Sequence, residues 1–290
     1  LVSVLVIGLG GILVTQSFLN RDKNKENVTV QASKEEDEKL KEEQKIEAEK
    51  ELLKNSNMNK DGLQYAVDVH DVRKMLDGQA EKDGKKMVFL TFDDGPSTTV
   101  TPKILDTLKQ YNVKATFFLV GNAVDNEKHK DLVNRIYDEG HAIGNHSYTH
   151  DYKKIYPGNS VNIESFFQEI NQTNASIKKI LGDDFNTRVI RMPGGYMSRK
   201  HYKDPSLPAL DAKLSELDMD SIDWNALSGD AEGKKRTPQE LVERVKKTVT
   251  GQEKAVILMH DTYGKGTTAE ALPQVIEWLQ SEGYEFKTIK

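Results

Sequence analysis

From Lys86 to the C-terminus, short apolar runs alternate with longer stretches of helical period. KMVFLT (86–91), ATFFLV (115–120), HAIGN (141–145), VIRM (189–192) and AVILMH (255–260) read as strands. Between and after them the 3.6-residue pattern predicts helices at 102–111, 128–139, 162–181, 207–217, 238–249 and 268–282. Thr237-Pro238-Gln239-Glu240 opens one of these with a capping box and a proline at the first helical position. Strand–helix alternation implies βαβ units and a parallel sheet. The expected fold class is therefore α/β, with barrel-like closure over 86–290, a span shorter than the ~250 residues typical of an eightfold barrel.

The pattern is different before Lys86. Leu1 to Leu19 (LVSVLVIGLGGILVTQSFL) carries no charge and just reaches the length that spans a bilayer. No A-x-A-like site follows it, so an uncleaved membrane anchor is favoured over a cleaved signal peptide, and both over a buried core helix. Residues 20–59 form a charged stretch whose centre, KEEDEKLKEEQKIEAEKELLK (34–54), lacks Gly and Pro. Glu35 with Lys39 and Asp37 with Lys41 have the acid-before-base spacing of a solvated helix. Leu40, Ile46, Leu52 and Leu53 are too sparse for a coiled-coil seam. This reads as a helical or partly disordered stalk, and residues 60–85 as a linker with a short helix around 67–76. The expected division is thus 1–19 anchor, 20–59 stalk, 60–85 linker and 86–290 catalytic domain. It places that domain outside the cell, anchored at the membrane, or secreted if the first segment is removed.

Charge and composition narrow the function. The net charge of -5 and a pI near 5.9 argue against a nucleic-acid binder. The chain has no cysteine, so disulfides and thiolate metal sites are excluded. Any metal must be held by His, Asp or Glu.

The reactive residue types fall at strand ends, which in parallel α/β folds gather on one face. TFDDGPS (91–97) sets Asp93 and Asp94 side by side before the breakers Gly95 and Pro96, although adjacent strand residues point to opposite faces. In GNHSYTH (144–150), His146 and His150 are four apart, which on a helical turn puts both imidazoles near one ion. Two His and one carboxylate would leave open positions, as a catalytic metal site needs. The second acid would then be free to act as a base. The bland alternatives are solvated surface histidines and acids that cap a turn. A phosphatase reading is disfavoured against the metal site, because the familiar acidic nucleophile pattern spaces its acids two apart. Arg191 can fix a nearby carboxylate, and Gly194 and Gly195 allow backbone to approach a ligand. Asp223 precedes Trp224, one of two tryptophans, whose alternative role is core packing. His260 ends the last apolar strand as a candidate general acid. His70, His129, His141 and His201 read as structural or solvent-exposed, with His141 placed to brace the loop beside His146.

Taken in order, TFDDG, GNHSYTH, RMPGGY, DSIDW and ILMHD resemble the motifs of the NodB-homology polysaccharide deacetylases, carbohydrate esterase family 4. The anchor and stalk are similar to those of Gram-positive peptidoglycan N-acetylglucosamine deacetylases. The resemblance implies a distorted (β/α) barrel and metal-dependent removal of acetyl groups from an N-acetylated glycan polymer. By position it makes Asp94, His146 and His150 the ligands of a divalent metal, Zn²⁺ first, with Co²⁺, Ni²⁺ or Mn²⁺ also accepted by such donors. It makes Asp93 the base, fixed by Arg191, and His260 the acid, oriented by Asp223. A backbone amide near Gly194 would face the acetyl oxygen, and Trp224 and Leu258 would wall the methyl pocket.

The resemblance departs at one point. Many members carry an aromatic residue after the Arg-x-Pro of the third motif, whereas this chain has Gly194 and Gly195, with Tyr196 displaced. That removes one expected wall of the substrate groove. Two other functions share these residues: a surface glycan-binding module that keeps the fold without turnover, and an esterase that cleaves O-acetyl groups.

Overall fold

The computed structural model describes residues 39–48, 51 and 53–290, in two compact units divided between Leu52 and Leu53. In the first unit, residues 39–48 are helical and exposed, and Lys39 reaches Glu43 at 3.8 Å, one turn on. Such an exposed pair contributes about 0.3–0.5 kcal/mol. The expected anchor Leu1–Leu19 and the acids Glu35 and Asp37 lie outside the described residues. No described helix is long and apolar enough to cross a membrane.

The second unit is built on nine parallel strands: β1 Ala66–Val67, β2 Met87–Gly95, β3 Thr116–Leu119, β4 Ala142–Asn145, β5 Val189–Ile190, β6 Asp220–Ser221, β7 Ala226–Leu227, β8 Lys254–His260 and β9 Glu285–Ile289. Pairing runs β7-β8-β2-β3-β4-β5-β6, and β9 joins the first half of β2 and carries β1 at its outer edge. No pairing joins β6 to β7. The expected barrel is therefore a curled, open half-barrel.

Both faces of β2 are covered, which is why it reads as a near-continuous apolar run. Val88, Leu90 and Phe92 pack outward with Leu105, Val245 and Leu272 of the surrounding helices. Phe89 faces the other way, into an inner cluster with Phe118, Val256 and Ile289. Two-residue alternation puts Phe89, Thr91 and Asp93 on this inner face. The helix Val69–Leu76 adds Val69 and Val72, both fully buried, to the same cluster.

That helix corrects the expected boundary. Residues 53–76 belong to the compact unit rather than to a stalk and linker. Asn57 donates to the carbonyls of Ile143 and Ile289, Met58 is fully buried, and β1 pairs with β9. Before the helix these ties are one polar side chain, one buried methionine and a two-residue backbone pairing, so residues 53–67 have no apolar periodicity to announce them. The predicted helix at 238–249 is observed as Pro238–Val249 with its capping box complete.

Candidate active site

The C-terminal ends of β2, β4 and β8 converge on a cleft of about 370 Å³. Asp93 reaches it by regular alternation, but Asp94 would not. The register between β2 and β3 shifts between Asp93 and Gly95, and Asp94 adopts φ 68°. This left-handed turn, tolerated by Asp better than by most residues, swings the second carboxylate back beside the first. Gly95 is required for the same bend, since a Cβ there would lie 2.3 Å from the carboxylate of buried Asp261.

His146 and His150 meet these acids from the loop after β4. The loop is not the helical turn their spacing suggested: Ser147 and His150 both have positive φ. Glu169, buried on the helix Ile163–Leu181, pins it by accepting from the backbone of Tyr148 (3.0 Å) and Thr149 (2.6 Å). The imidazole rings end 4.9 Å apart. Nδ1–H of His146 donates to the Arg191 carbonyl at 2.7 Å, which leaves Nε2 as a free donor of electrons.

These groups fit a cation. Oδ1 of Asp94 is buried without a hydrogen-bond partner and lies 3.3 Å from Nε2 of His146 and 3.4 Å from Nε2 of His150. All three donors lie within 4.8 Å of one another, the one such cluster among the described residues. Burial alone would raise the Asp94 carboxyl, but His146, His150 and His260 hold it well below the usual carboxylate range. Burial would lower His146, and Asp93 and Asp94 outweigh it; His150 is lowered by burial and by His146.

Arg191 stands behind the acids, fully buried. Its guanidinium donates to Asp93 (2.8 Å), Thr91 Oγ1 (2.7 Å) and the carbonyls of Ile222 (2.8 Å) and Asp223 (3.1 Å). It packs 4.1 Å from the centre of the Phe118 ring. Opposite, Nδ1–H of His260 donates to Asp230 at 2.8 Å. Asp230 also accepts from the His260 amide (2.8 Å) and Thr268 Oγ1 (2.9 Å). Burial would depress the His260 pKa, but Asp230, with Asp93 and Asp94 beyond it, raises it. Nε2 is left facing the cleft.

A family model described as polysaccharide deacetylase matches residues 80–206. A peptidoglycan-N-acetylglucosamine deacetylase of Bacillus cereus is 34% identical over 209 residues, 71% of this chain and 67% of that protein. The chain belongs to the polysaccharide deacetylase family. The peptidoglycan-N-acetylglucosamine deacetylase PgdA of Listeria monocytogenes is 32% identical over 234 residues, and the chain spans 43% of that protein's length. A solved structure of a Streptococcus mutans CE4 esterase superposes with a TM-score of 0.74 at 37% identity, over 82% of this chain and 97% of that one. The family consists of hydrolases acting on N-acetyl groups.

Within this polysaccharide deacetylase, three positional expectations need correction. Asp223 does not orient His260. Its carboxylate accepts from the amides of Tyr196 (2.8 Å) and Met197 (2.6 Å), and so caps the helix Tyr196–His201. Asp230 takes the orienting position, from the loop after β7, a two-residue strand too short to register as an apolar run. Tyr196 does not line the cleft either: it is buried, and its hydroxyl donates to Asp211. The third correction concerns the wall. Gly194 lines the cleft with φ 76°, and a Cβ on it would lie 2.6 Å from the Tyr152 hydroxyl. Tyr152, half-exposed and edge-on to His150 at 5.7 Å, supplies an aromatic wall from the histidine loop. Trp224 and Leu258 line the cleft.

Proposed function

We propose that the chain hydrolyses the N-acetyl group of N-acetylglucosamine residues in peptidoglycan, giving free amine and acetate. The observation that carries this reading is one cleft holding an Asp–His–His donor set between two oppositely oriented couples, Arg191–Asp93 and His260–Asp230. The Bacillus and Listeria relatives, both peptidoglycan-N-acetylglucosamine deacetylases, support the substrate.

A divalent cation held by Asp94, His146 and His150 would supply Lewis acidity toward water and the acetyl oxygen; two His, one carboxylate and no thiolate favour Zn²⁺. Asp93 takes the proton of the water whose oxygen attacks the acetyl carbon, and Arg191 keeps the carboxylate aimed. Charge developing on the acetyl oxygen falls near the Gly194 backbone. As the C–N bond breaks, His260 gives its Nε2 proton to the departing nitrogen, and its link to Asp230 steadies the ring. Trp224 and Leu258 flank the methyl group. The apolar run Leu1–Leu19 supports a catalytic unit held at the cell surface, a placement that surface labelling of intact cells reads directly.

The test is acetate release by the zinc-loaded full chain from N-acetylglucosamine oligomers and from purified peptidoglycan. Release that stops on chelation and returns with Zn²⁺ is expected. Glycan binding by the zinc-loaded protein without release would replace the reading with a binding module. Release from O-acetylated polymers alone would replace it with an esterase.

A further inference from the structure

The loop that carries Asp230 has two sides. On one, Asp230, Ala231 and Glu232 border the catalytic cleft. On the other, Asp230 and Ala231 border a second cavity of about 300 Å³, lined by Lys234, Lys235, Arg236 and Lys265. The two cavities are therefore neighbours across a single turn of chain.

The second cavity is cationic in a protein whose net charge is -5. Lys265 Nζ donates to the Asp230 carbonyl at 2.8 Å, which holds its ammonium at the seam between the cavities. Arg236 is fixed by the carbonyls of Gly229 and Glu232 and pairs with the Glu232 carboxylate at 3.3 Å. Lys234 lies 3.6 Å from Glu240, exposed to solvent, and Lys235 makes no ion pair among the described residues. The Asp230 carboxylate is already committed to His260 and Thr268. The helix Gly266–Ser281 starts beside the cavity without an acid in its first turn. Four cations thus face two carboxylates, Glu232 and Glu240. An uncharged sugar chain has no use for such a surface.

We propose that this cavity is a subsite for a carboxylate carried by the polymer, next to the sugar that is deacetylated. The inference rests on the peptidoglycan reading, in which peptide-bearing sugars alternate with N-acetylglucosamine and bring carboxylates beside every target. The cavity then selects this anionic polymer over neutral N-acetylglucosamine chains by lowering KM rather than raising kcat. Part of that selection is electrostatic and is screened by salt.

The experiment compares the zinc-loaded full chain with its Lys234→Gln/Lys235→Gln variant; both side chains are exposed and outside the catalytic machinery. Acetate release is measured on a neutral N-acetylglucosamine tetramer, on peptide-bearing glycan strands, and on the same strands with their carboxylates converted to methylamides. The variant should raise KM about fivefold on the unmodified strands, with kcat unchanged and no effect on the other two substrates. Equal KM values for both proteins on all three substrates, or an equal shift on the neutral tetramer, would overturn the subsite. Inhibition by inorganic phosphate but not by D-alanyl-D-alanine would also overturn it, by reassigning the cavity to phosphate. Absence of acetate from every substrate would overturn the deacetylase reading instead. In that case, binding of unmodified and amidated strands by the same two proteins still decides the subsite, and equal affinities count against it.

Discussion

Each side of the cleft holds a carboxylate bonded to a basic side chain, and the two couples are arranged in opposite senses. On one side Arg191 donates at 2.8 Å to Asp93, and the carboxylate is the member that faces the cleft. On the other, Asp230 accepts at 2.8 Å from His260, and here the imidazole is the member that faces the cleft. A fixed cation behind a carboxylate leaves a proton acceptor; a fixed carboxylate behind an imidazole leaves a proton donor. Oppositely biased environments divide acid and base roles within one pocket. The same pair of charges serves both purposes, depending on which member is turned inward.

Removing the acceptor should have the largest effect. Asp93→Asn is expected to lower kcat by roughly 10³-fold or more. Bound zinc should persist, because the donor cluster comprises Asp94, His146 and His150. Metal analysis of the purified variant separates loss of the base from loss of the ion, and zinc-free protein would make Asp93 a ligand.

Weakening the donor side should cost less and leave a signature in pH. With Asp230→Asn, the main influence that raises the His260 pKa disappears, and burial, which lowers it, remains. A proton held on His260 is then lost at lower pH. The alkaline limb of the kcat profile should move to lower pH, with a fall in kcat of roughly tenfold at neutral pH. An unchanged alkaline limb would show that His260 does not titrate in that limb.

Asp223→Asn should matter least to chemistry. Tyr196 and Met197 donate to different oxygens of Asp223, so an Asn keeps one of the two bonds; activity and pH profile should stay within about twofold of the parent, while Asp223→Ala removes both and should cost about 1 kcal/mol of stability in thermal unfolding. A shifted alkaline limb in Asp223→Asn would restore Asp223 as the partner of His260 and erase the contrast between the couples.

Much of this was legible in the chain. Strand runs such as KMVFLT and AVILMH are apolar because both faces of a parallel sheet are covered, and helices such as Pro238–Val249 carry their own caps. Asp93, Asp94, His146, His150 and His260 stood out because they follow those strands directly. Of the four strands of two residues, β5 lies in the apolar run VIRM, while β1, β6 and β7 carry too little pattern to read. The helix Val69–Leu76 was visible, but its burial inside the half-barrel was not.

What the sequence determined by itself was the identity and order of the reactive groups, since local apolar runs and turn residues state where each strand ends. Tertiary structure decided which groups meet. Asp230 lies 30 positions before its partner His260, whereas Asp223, nearer to Trp224 in the motif, turned to the amides of a helix start. Tyr152 came over Gly194 from a loop 42 residues away in the chain, because an absent side chain leaves room that only packing can fill. Even the pairing of Asp93 with Asp94 required a register shift against a neighbouring strand, and no run of seven residues contains its neighbour.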